Sequence, residues 1–398
     1  MMEIWSFLGI LLLYSIFRLL HWSSLPSAPT LYWKEGSKFV QDIINSCPFL
    51  TEPYIPPLWW GKSGHIQTIV YAKLGRVSSP FPKGERHHVV LSDGATMVYD
   101  VFPPHKAHES GGDYTITVCP GIANSSGASY ICTFVNYAQE NGYRVTVLNH
   151  LGAIRSVKLT SSRIFTYGGT EEFDTMIQKV KQMYPTTNLL ACGFSMGANI
   201  VVKYLGEKPE NQQQFLCALS ICQGYDVTQA TSMLQDWPYM RRVYMYAMTA
   251  NQKGMMSRHH EILMDQKLLE KCNIDPAKVF SSTSLVELDE LYTRRRLGYK
   301  SLTDYYSWCS CKPFMNEIEI PMFLLNAEDD PIVPMALVDT AKDYALKHDK
   351  SLLAVTKHGG HLGYFEGKGL WADPITWLDR SIIQYTNAII AFHIRGKL

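Results

Sequence analysis

A G-x-S-x-G motif at residues 193–197 constrains the fold of this chain more than any other feature of the sequence. The motif follows a short apolar run at 188–192 and precedes a run at 198–205 that is compatible with a helix. A turn that joins a strand so tightly to a helix needs small residues on both sides, here Gly193 and Gly197. It also strains the central residue and projects its side chain above the sheet. The motif therefore predicts that Ser195 is a nucleophile, with an ordinary surface loop as the alternative.

A serine nucleophile needs a carboxylate partner downstream in the chain. A serine hydroxyl is activated by a histidine, which a carboxylate holds in the right tautomer, and proteins with this turn follow the chain order Ser, Asp, His. An apolar run at 320–327 predicts a late buried strand, and it ends in a turn that contains Asp329 and Asp330. We favour Asp330 because it directly precedes the Pro-Ile-Val-Pro turn at 331–334, and Asp329 remains the alternative.

The histidine is expected one strand–helix–strand unit later. The run at 351–356 reads as the last strand, and two glycines separate His358 from His361 in the segment that follows it. Such a loop is flexible enough to carry an imidazole over the sheet. We therefore predict that His361 is the base, and we interpret His358 as a solvated residue at the end of the strand.

The negative oxygen of an acyl-transfer intermediate needs backbone N–H donors. One is expected from Met196, the residue after the nucleophile. The other is expected after the strand predicted at 114–119, where the chain runs through Gly121 into Ile122. Position in the chain therefore predicts that the backbone N–H groups of Ile122 and Met196 form the oxyanion hole.

The composition limits which classes of protein fit this chain. The chain has 398 residues, of which 46% are hydrophobic, enough for one large α/β domain. Its 37 basic and 36 acidic residues are nearly balanced and form no basic stripe, which argues against a nucleic-acid partner. Nine scattered cysteines form no metal or redox spacing and are expected to be mostly buried thiols. We expect neither a metal nor an organic cofactor.

The order of the predicted elements indicates an α/β-hydrolase fold. A hairpin is expected at 86–102, because Asp93-Gly94 signals its turn. Strands and helices then alternate, which predicts a mostly parallel, doubly wound sheet. Further strands are predicted at 143–148, 188–193, 215–222 and 318–326, and helices near 128–140 and at 170–183 and 196–206. We assign residues 86–395 to the hydrolase domain, and 23–85 to a linker and N-terminal extension with one amphipathic stretch at 36–45.

The segment at about 225–316 is predicted to be a helical lid inserted into this domain. It shows no strand pattern, and three helices are expected at 228–250, 258–270 and 284–307. The lid is rich in methionine and aromatic residues, among them Met233, Trp237, Tyr239, Met240, Tyr244, Met245, Tyr246, Met248, Met255 and Met256. Methionine adapts to varied apolar partners, so this surface suits acyl chains, although ordinary helix packing explains it equally well.

The N-terminus is apolar from residue 4 to residue 17 and is followed by Arg18-Leu-Leu-His-Trp at 18–22. This length suits a short or tilted membrane helix, with Trp5 and Trp22 at the interfaces. We predict a single-pass transmembrane anchor at 4–22, with a signal peptide and an interfacial helix as alternatives. The positive-inside rule, applied to Arg18, Lys34 and Lys38, favours a cytoplasmic position for the rest of the chain.

Two further motifs are only weak indications of a nucleotide-binding loop and of an acyltransferase site. The run at 60–68 contains Gly-Lys-Ser, but it lacks the first glycine of a nucleotide-binding loop and follows no strand. His108 and Asp113 have the H-x-x-x-x-D spacing associated with acyltransferases, a spacing that often arises by chance.

Several segments together resemble one family, the branch of α/β-hydrolase domain proteins that includes bacterial YheT-type esterases and animal membrane-anchored monoacylglycerol lipases. The resemblance covers roughly residues 30–395 and includes a similar N-terminal anchor. The segments are 60–68 (WGKSGHIQT), 119–124 (CPGIAN), 149–152 (NHLG), 193–197 (GFSMG), 298–306 (GYKSLTDYY), 326–331 (NAEDDP) and 358–363 (HGGHLG).

This resemblance implies a serine hydrolase of lipid esters, chiefly monoacylglycerols, with broader acylglycerol and short-ester activity. Its triad falls on Ser195, Asp330 and His361, and it favours Asp330 over Asp329. Residues 149–152 depart from the Asn-x-Arg-Gly of phospholipase-like relatives, so their substrate is not carried over. The implied partners are a monoacylglycerol and a bilayer, at the plasma membrane or endoplasmic reticulum. The implied type II orientation, with the N-terminus inside, conflicts with the charge-based one.

Alternative functions remain open at this point. A phospholipase, thioesterase or acyltransferase would use the same triad. A non-catalytic lipid- or steroid-binding module would keep the fold without the chemistry. The sequence does not determine the oligomeric state.

Overall fold

The computed structural model describes residues 2–73, 80–237 and 240–398, and nine strands in these ranges form one sheet. The strands are β1 (Thr30–Tyr32), β2 (Glu85–Val90), β3 (Thr96–Phe102), β4 (Tyr114–Cys119), β5 (Arg144–Asn149), β6 (Asn188–Phe194), β7 (Phe215–Ile221), β8 (Met322–Ala327) and β9 (Ser351–Thr356). Their order across the sheet is β1-β9-β8-β7-β6-β4-β5-β3-β2.

Six neighbouring strands run parallel, in the spatial order β5, β4, β6, β7, β8 and β9. The strands at both edges of the sheet pair antiparallel. At one edge β2 and β3 form the predicted hairpin, with Gly94 at φ 81° in its turn. At the other edge β1 pairs with β9, in a stretch that the sequence presented only as a linker. The prediction of a mostly parallel sheet in an α/β-hydrolase fold is confirmed.

The helices before and between the central strands are α1 (Met2–Leu19), α2 (Lys38–Ser46), α3 (Gly64–Lys73), α4 (Ser129–Glu140), α5 (Glu171–Met183), α6 (Met196–Glu207) and α7 (Pro209–Gln212). After β7 come α8 (Val227–Met233), α9 (Arg241–Arg258), α10 (His260–Leu263), α11 (Gln266–Cys272), α12 (Pro276–Ser281), α13 (Leu285–Leu288), α14 (Arg294–Leu297) and α15 (Leu302–Cys309). The chain closes with α16 (Asp339–Lys347) and α17 (Trp377–Ile394).

The central strands are apolar throughout because both faces of the sheet are covered. In β6, Leu189 and Ala191 face one hydrophobic core, and Leu190 and Cys192 face the other. The first core lies under α5, α6 and the insertion, and the second lies under α2, α4 and α17. Eight of the nine cysteines are buried, as the sequence indicated.

The insertion between β7 and β8 is helical as predicted, but its helices are shorter than expected. Within 228–250, α8 ends at Met233 and α9 begins at Arg241, directly after Met240 at φ 55°. The predicted helix 284–307 contains a π-helical turn at Asp289–Thr293 and is broken by Gly298 at φ 79°. Tyr239, which the sequence placed in this lid, lies outside the described residues, as do residues 74–79 of the predicted linker.

The strand predicted at 318–326 begins later, at Met322. A 3-10 turn occupies Lys312–Glu317, and Pro321 has no N–H to donate to a neighbouring strand. The ladder with β7 therefore begins with the pair Ala218 and Met322.

Helix α1 leaves most of its apolar side chains exposed. Trp5, Ile10 and Leu13 have exposed fractions of 71%, 67% and 68%. In the described part of the chain, no helix combines the length and the apolar character needed to cross a membrane.

Candidate active site

The nucleophile turn joins β6 to α6. Ser195 has φ 54° and ψ −121°, a strained conformation for a residue with a side chain. A β-carbon on Gly197 would lie 2.1 Å from the carbonyl oxygen of Cys119, and one on Gly193 would lie 2.3 Å from Cα of Ala198. Because no side chain fits at either position, the spacing of the motif follows from these backbone contacts.

Ser195, Asp330 and His361 meet at the carboxyl edge of the parallel strands. Nε2 of His361 lies 2.9 Å from Oγ of Ser195, and its Nδ1 lies 2.8 Å from Oδ2 of Asp330. Asp330 and His361 are buried, whereas Ser195 is partly accessible. This is the geometry of a Ser-His-Asp triad, in which Nδ1–H donates to the carboxylate and Nε2 accepts the serine proton.

The two adjacent aspartates bind different groups. The Oδ1 atom of Asp330 accepts the backbone N–H groups of Ile332 and Val333, at 2.7 and 2.9 Å. The Oδ1 atom of Asp329 accepts the backbone N–H of Gly360 at 2.8 Å. Burial raises the pKa of the Asp329 carboxyl, and the nearby His358 ring and the hydrogen bond from Gly360 oppose that increase. The structure thus brings Asp330, and not Asp329, to the ring of His361.

The interpretation of His358 as a solvated residue is wrong, since only 3% of it is exposed. The His358 ring lies between the segment after α1 and the turn after β8, which the sequence did not connect. Its Nε2 lies 2.9 Å from Oγ of Ser24, and its Nδ1 lies 3.7 Å from Oδ2 of Asp329.

The two predicted oxyanion donors line the same cavity as Ser195. Ile122 comes from the loop after β4, and Met196 is the first residue of α6. The loop is fixed from two sides, because Tyr130 accepts the backbone N–H of Gly121 at 2.9 Å and His150 contacts the carbonyl oxygen of Pro120 at 2.9 Å.

His150 is a supporting residue that the sequence reasoning missed. Burial lowers its pKa to about 4, so its ring is neutral at pH 7. Its Nε2 must then carry the proton, since the carbonyl oxygen of Pro120 only accepts. His150 therefore holds the loop that carries Ile122. The sequence feature that could have identified His150 is the Asn-His-Leu-Gly string at 149–152.

The cavity at Ser195 has a volume of about 130 Å³ that is accessible to the centre of a water molecule. Its apolar walls come from the insertion, the turn after β4, the start of α6 and the segment after β8. The residues are Ile122, Met196, Val227, Ala230, Leu234, Met248, Leu285, Ile332, Val333 and Leu337. Asn199 and Gln223 are two of the polar residues in the walls, and both are already bound within the protein. Asn199 donates to the carbonyl oxygens of Tyr167 and Cys309, and Gln223 donates to Ser220. The cavity therefore suits an apolar chain next to the nucleophile.

Helix α3 supports the histidine loop and is another element that the sequence did not predict. Thr68 accepts the backbone N–H of His361 at 2.9 Å, and Gln67 accepts that of Phe365 at 2.9 Å. A β-carbon on Gly64 would lie 1.9 Å from the carbonyl oxygen of Asp329. Gly64, the last residue of the Gly-Lys-Ser-Gly run at 61–64, thus packs against the turn after β8 that carries Asp330.

His108 and Asp113 bind separate partners. Nδ1 and Nε2 of His108 contact Ser110 and Asn387, whereas Asp113 pairs with Arg144 at 2.6 Å. Asp113 directly precedes β4, so it lies at the amino edge of the parallel strands, opposite Ser195. The H-x-x-x-x-D spacing therefore forms no part of this site.

Comparison with known proteins identifies the family of this chain. Residues 113–367 match the family described as serine aminopeptidase, S33. The chain is 44% identical to "Monoacylglycerol lipase ABHD2" of Homo sapiens over 391 residues, which cover 97% of this chain and 91% of that protein. It is 42% identical to "Abhydrolase domain-containing protein 2" of Drosophila melanogaster, over 96% of both chains. It is 28% identical to "Phospholipase ABHD3" of Homo sapiens, over 92% of this chain and 86% of that protein. The chain therefore belongs to the serine aminopeptidase, S33 family of α/β-hydrolases, together with the monoacylglycerol lipases and abhydrolase domain-containing proteins that it resembles.

Proposed function

We propose that this protein is a serine hydrolase that cleaves monoacylglycerols into a fatty acid and glycerol, with broader activity on acylglycerols and short esters. The observation that carries the proposal is the hydrogen-bonded series Ser195, His361 and Asp330, which opens on an apolar cavity. The names of the relatives with 44% identity support the same substrate class.

Acylation begins when Oγ of Ser195 attacks the ester carbonyl carbon and Nε2 of His361 takes the serine proton. Asp330 stabilises the resulting imidazolium through Nδ1. The backbone N–H groups of Ile122 and Met196 bind the oxyanion. The bond from the carbonyl carbon to the glycerol oxygen then breaks, and His361 gives its proton to that oxygen.

Deacylation repeats these steps with water as the nucleophile. His361 takes a proton from water as the water oxygen attacks the acyl-serine carbonyl carbon. The bond to Oγ of Ser195 breaks, the fatty acid leaves, and Ser195 regains its proton from His361. No step needs a metal or an organic cofactor.

The insertion between β7 and β8 acts as a lid over the acyl chain. Helix α8 contributes Val227 and Ala230 to the cavity, Leu234 follows directly after α8, and α9 contributes Met248. His65, at the start of α3, stacks on Tyr244 of α9, with its Nδ1 at 2.9 Å from the tyrosine hydroxyl. This contact fixes the lid against the element that also supports the histidine loop.

Helix α1 attaches the protein to a membrane at its N-terminus. Its exposed apolar side chains support this role, and a substrate that resides in a bilayer explains the need for it. Carbonate extraction of membranes that contain the full chain tests the attachment. An anchored chain stays in the pellet, and a peripherally bound chain is released.

Substrate competition tests the activity. The purified full chain receives a 2-monoacylglycerol, a phospholipid and an acyl thioester together, with Ser195→Ala as the control for background hydrolysis. We expect fatty acid release chiefly from the monoacylglycerol. Turnover of only the phospholipid or only the thioester would contradict the proposed substrate while leaving the triad in place.

A further inference from the structure

We propose that Asp329 and His358 are positioning residues for His361, and that Ser24 connects this pair to the segment after the N-terminal helix. The inference rests on the proposed function, in which His361 is the base. It assigns roles to a second Ser–His–Asp series that lies beside the triad and makes no contact with its reacting atoms.

The loop that carries His361 is a turn in which the N–H groups of Gly363 and Tyr364 donate to the carbonyl oxygen of Gly359. Gly359 and Gly360 separate His358 from His361, and they have φ values of 143° and 55°. Because neither glycine has a side chain to pack, the place of the imidazole depends on what binds the loop backbone. The Oδ1 atom of Asp329 binds the N–H of Gly360 at 2.8 Å, one residue before His361.

His358 fixes the other end of the loop. Its Nδ1 and Oδ2 of Asp329 face each other at 3.7 Å. Both atoms are buried, and neither has a hydrogen-bond partner among the residues that the structure describes. An unpaired buried polar atom is costly, so each atom favours the conformation that keeps it facing the other. One carboxylate thus restrains both His358 and Gly360.

Ser24 extends this series to the N-terminal segment. Its hydroxyl lies 2.9 Å from Nε2 of His358. The same segment is held by Trp22, whose ring packs edge-on against Trp59 at 5.6 Å and whose indole N–H donates to the carbonyl oxygen of Trp59 at 2.8 Å. Helix α1 ends at Leu19, so the position of α1 is linked to the catalytic loop through a short, fixed connection.

Four variants of the full chain test the proposal. Asp329→Ala removes the acceptor of the Gly360 N–H, and Asp329→Asn keeps an oxygen in its place without the charge. Ser24→Ala removes the last member of the series. Glu328→Ala is the matched control, because it deletes the exposed carboxylate next to Asp329.

The measurements are kcat and KM for a soluble short-chain ester, the rate of labelling by a fluorophosphonate, and thermal unfolding. None of them depends on a lipid substrate, so a failure of the monoacylglycerol assignment does not affect this test. If the wild type is neither labelled nor active, the proposed function fails and the positioning role fails with it.

We expect Asp329→Ala to lower kcat and the labelling rate about 10- to 100-fold, with KM within about 2-fold of the wild type. Asp329→Asn should lose no more than about 3-fold in kcat, Ser24→Ala about 3-fold, and Glu328→Ala nothing measurable. An equal loss for Asp329→Asn and Asp329→Ala, a rise in KM alone, or an unchanged kcat for Asp329→Ala would overturn the proposal. Should Asp329→Ala fail to fold, Ser24→Ala decides, since the proposal requires it to slow labelling without lowering Tm.

Discussion

Oγ1 of Thr68 accepts the backbone N–H of His361 at 2.9 Å, although 293 residues separate the two in sequence. The same hydroxyl donates its proton to the carbonyl oxygen of Gly64 at 2.7 Å, so its orientation is fixed. A residue of α3 therefore sets the position of the proposed base.

Thr68→Val should lower kcat about 5- to 100-fold, because the isosteric side chain leaves the N–H of His361 without its acceptor. Steady-state kinetics with a soluble ester measure the effect. Thr68→Ser keeps the hydroxyl and should retain most of the activity. Equal activity of the valine and serine variants would show that this hydrogen bond does not position His361.

The sequence predicted the parts of this molecule that local patterns encode. The motif at 193–197, the strand at 114–119 and the hairpin at 86–102 each follow from neighbouring residues, and the structure has all three elements. The turn at 331–334 already favoured Asp330 over Asp329, but the contact between Asp330 and His361 depends on how the turns after β8 and β9 meet.

The missed elements depend on distant contacts. Strand β1 has three residues and exists because β9 offers it a free edge. Helix α3 lies in a stretch that drew notice only for its Gly-Lys-Ser run, and its role requires the histidine loop from the far end of the chain. The burial of His358 likewise requires Ser24 and Asp329, which are remote from it in sequence.

Ala230→Trp should shift the preference of the protein toward short acyl chains. Ala230 lines the cavity, and an indole there would occupy space meant for the acyl chain. We expect kcat/KM for a long-chain monoacylglycerol to fall at least about 10-fold, while that for a butyrate ester changes little. Ala247→Trp, at an exposed position of α9, is the control. A parallel loss on both substrates would argue against this cavity as the acyl site.

Gly197→Ala should destabilise the protein by at least about 2 kcal/mol and abolish activity, because its β-carbon would collide with the carbonyl oxygens of Cys119 and Pro120. Gly254→Ala provides the matched comparison. Its β-carbon would meet no atom within 4 Å, and alanine favours the helix, so Tm should rise slightly. Urea unfolding of both variants measures the difference, and a Gly197→Ala protein as stable as the wild type would contradict the packing described.

Asp289 should make stability fall as pH rises. Burial raises the pKa of this carboxyl to about 7 from its ordinary value of 3.8, although a hydrogen bond from Tyr306 opposes the shift. The folded state therefore holds a proton that the unfolded state has lost between these two pH values, and stability decreases across that window. Asp289→Asn removes the titration, so its advantage over the wild type should grow between pH 4 and pH 8, by about 4 kcal/mol at most. Thermal unfolding at both pH values measures this, and a constant difference between the two proteins would exclude a protonated Asp289.

The most direct test of the central claim uses membranes that contain the wild-type chain or Ser195→Ala. Fluorophosphonate labelling and fatty acid release from a 2-monoacylglycerol are followed in parallel. We predict that the wild type is labelled and releases fatty acid, and that both signals disappear in Ser195→Ala. Labelling or hydrolysis that persists in the variant, or a folded wild type that shows neither, would contradict the assignment of Ser195 as the nucleophile of a lipid ester hydrolase.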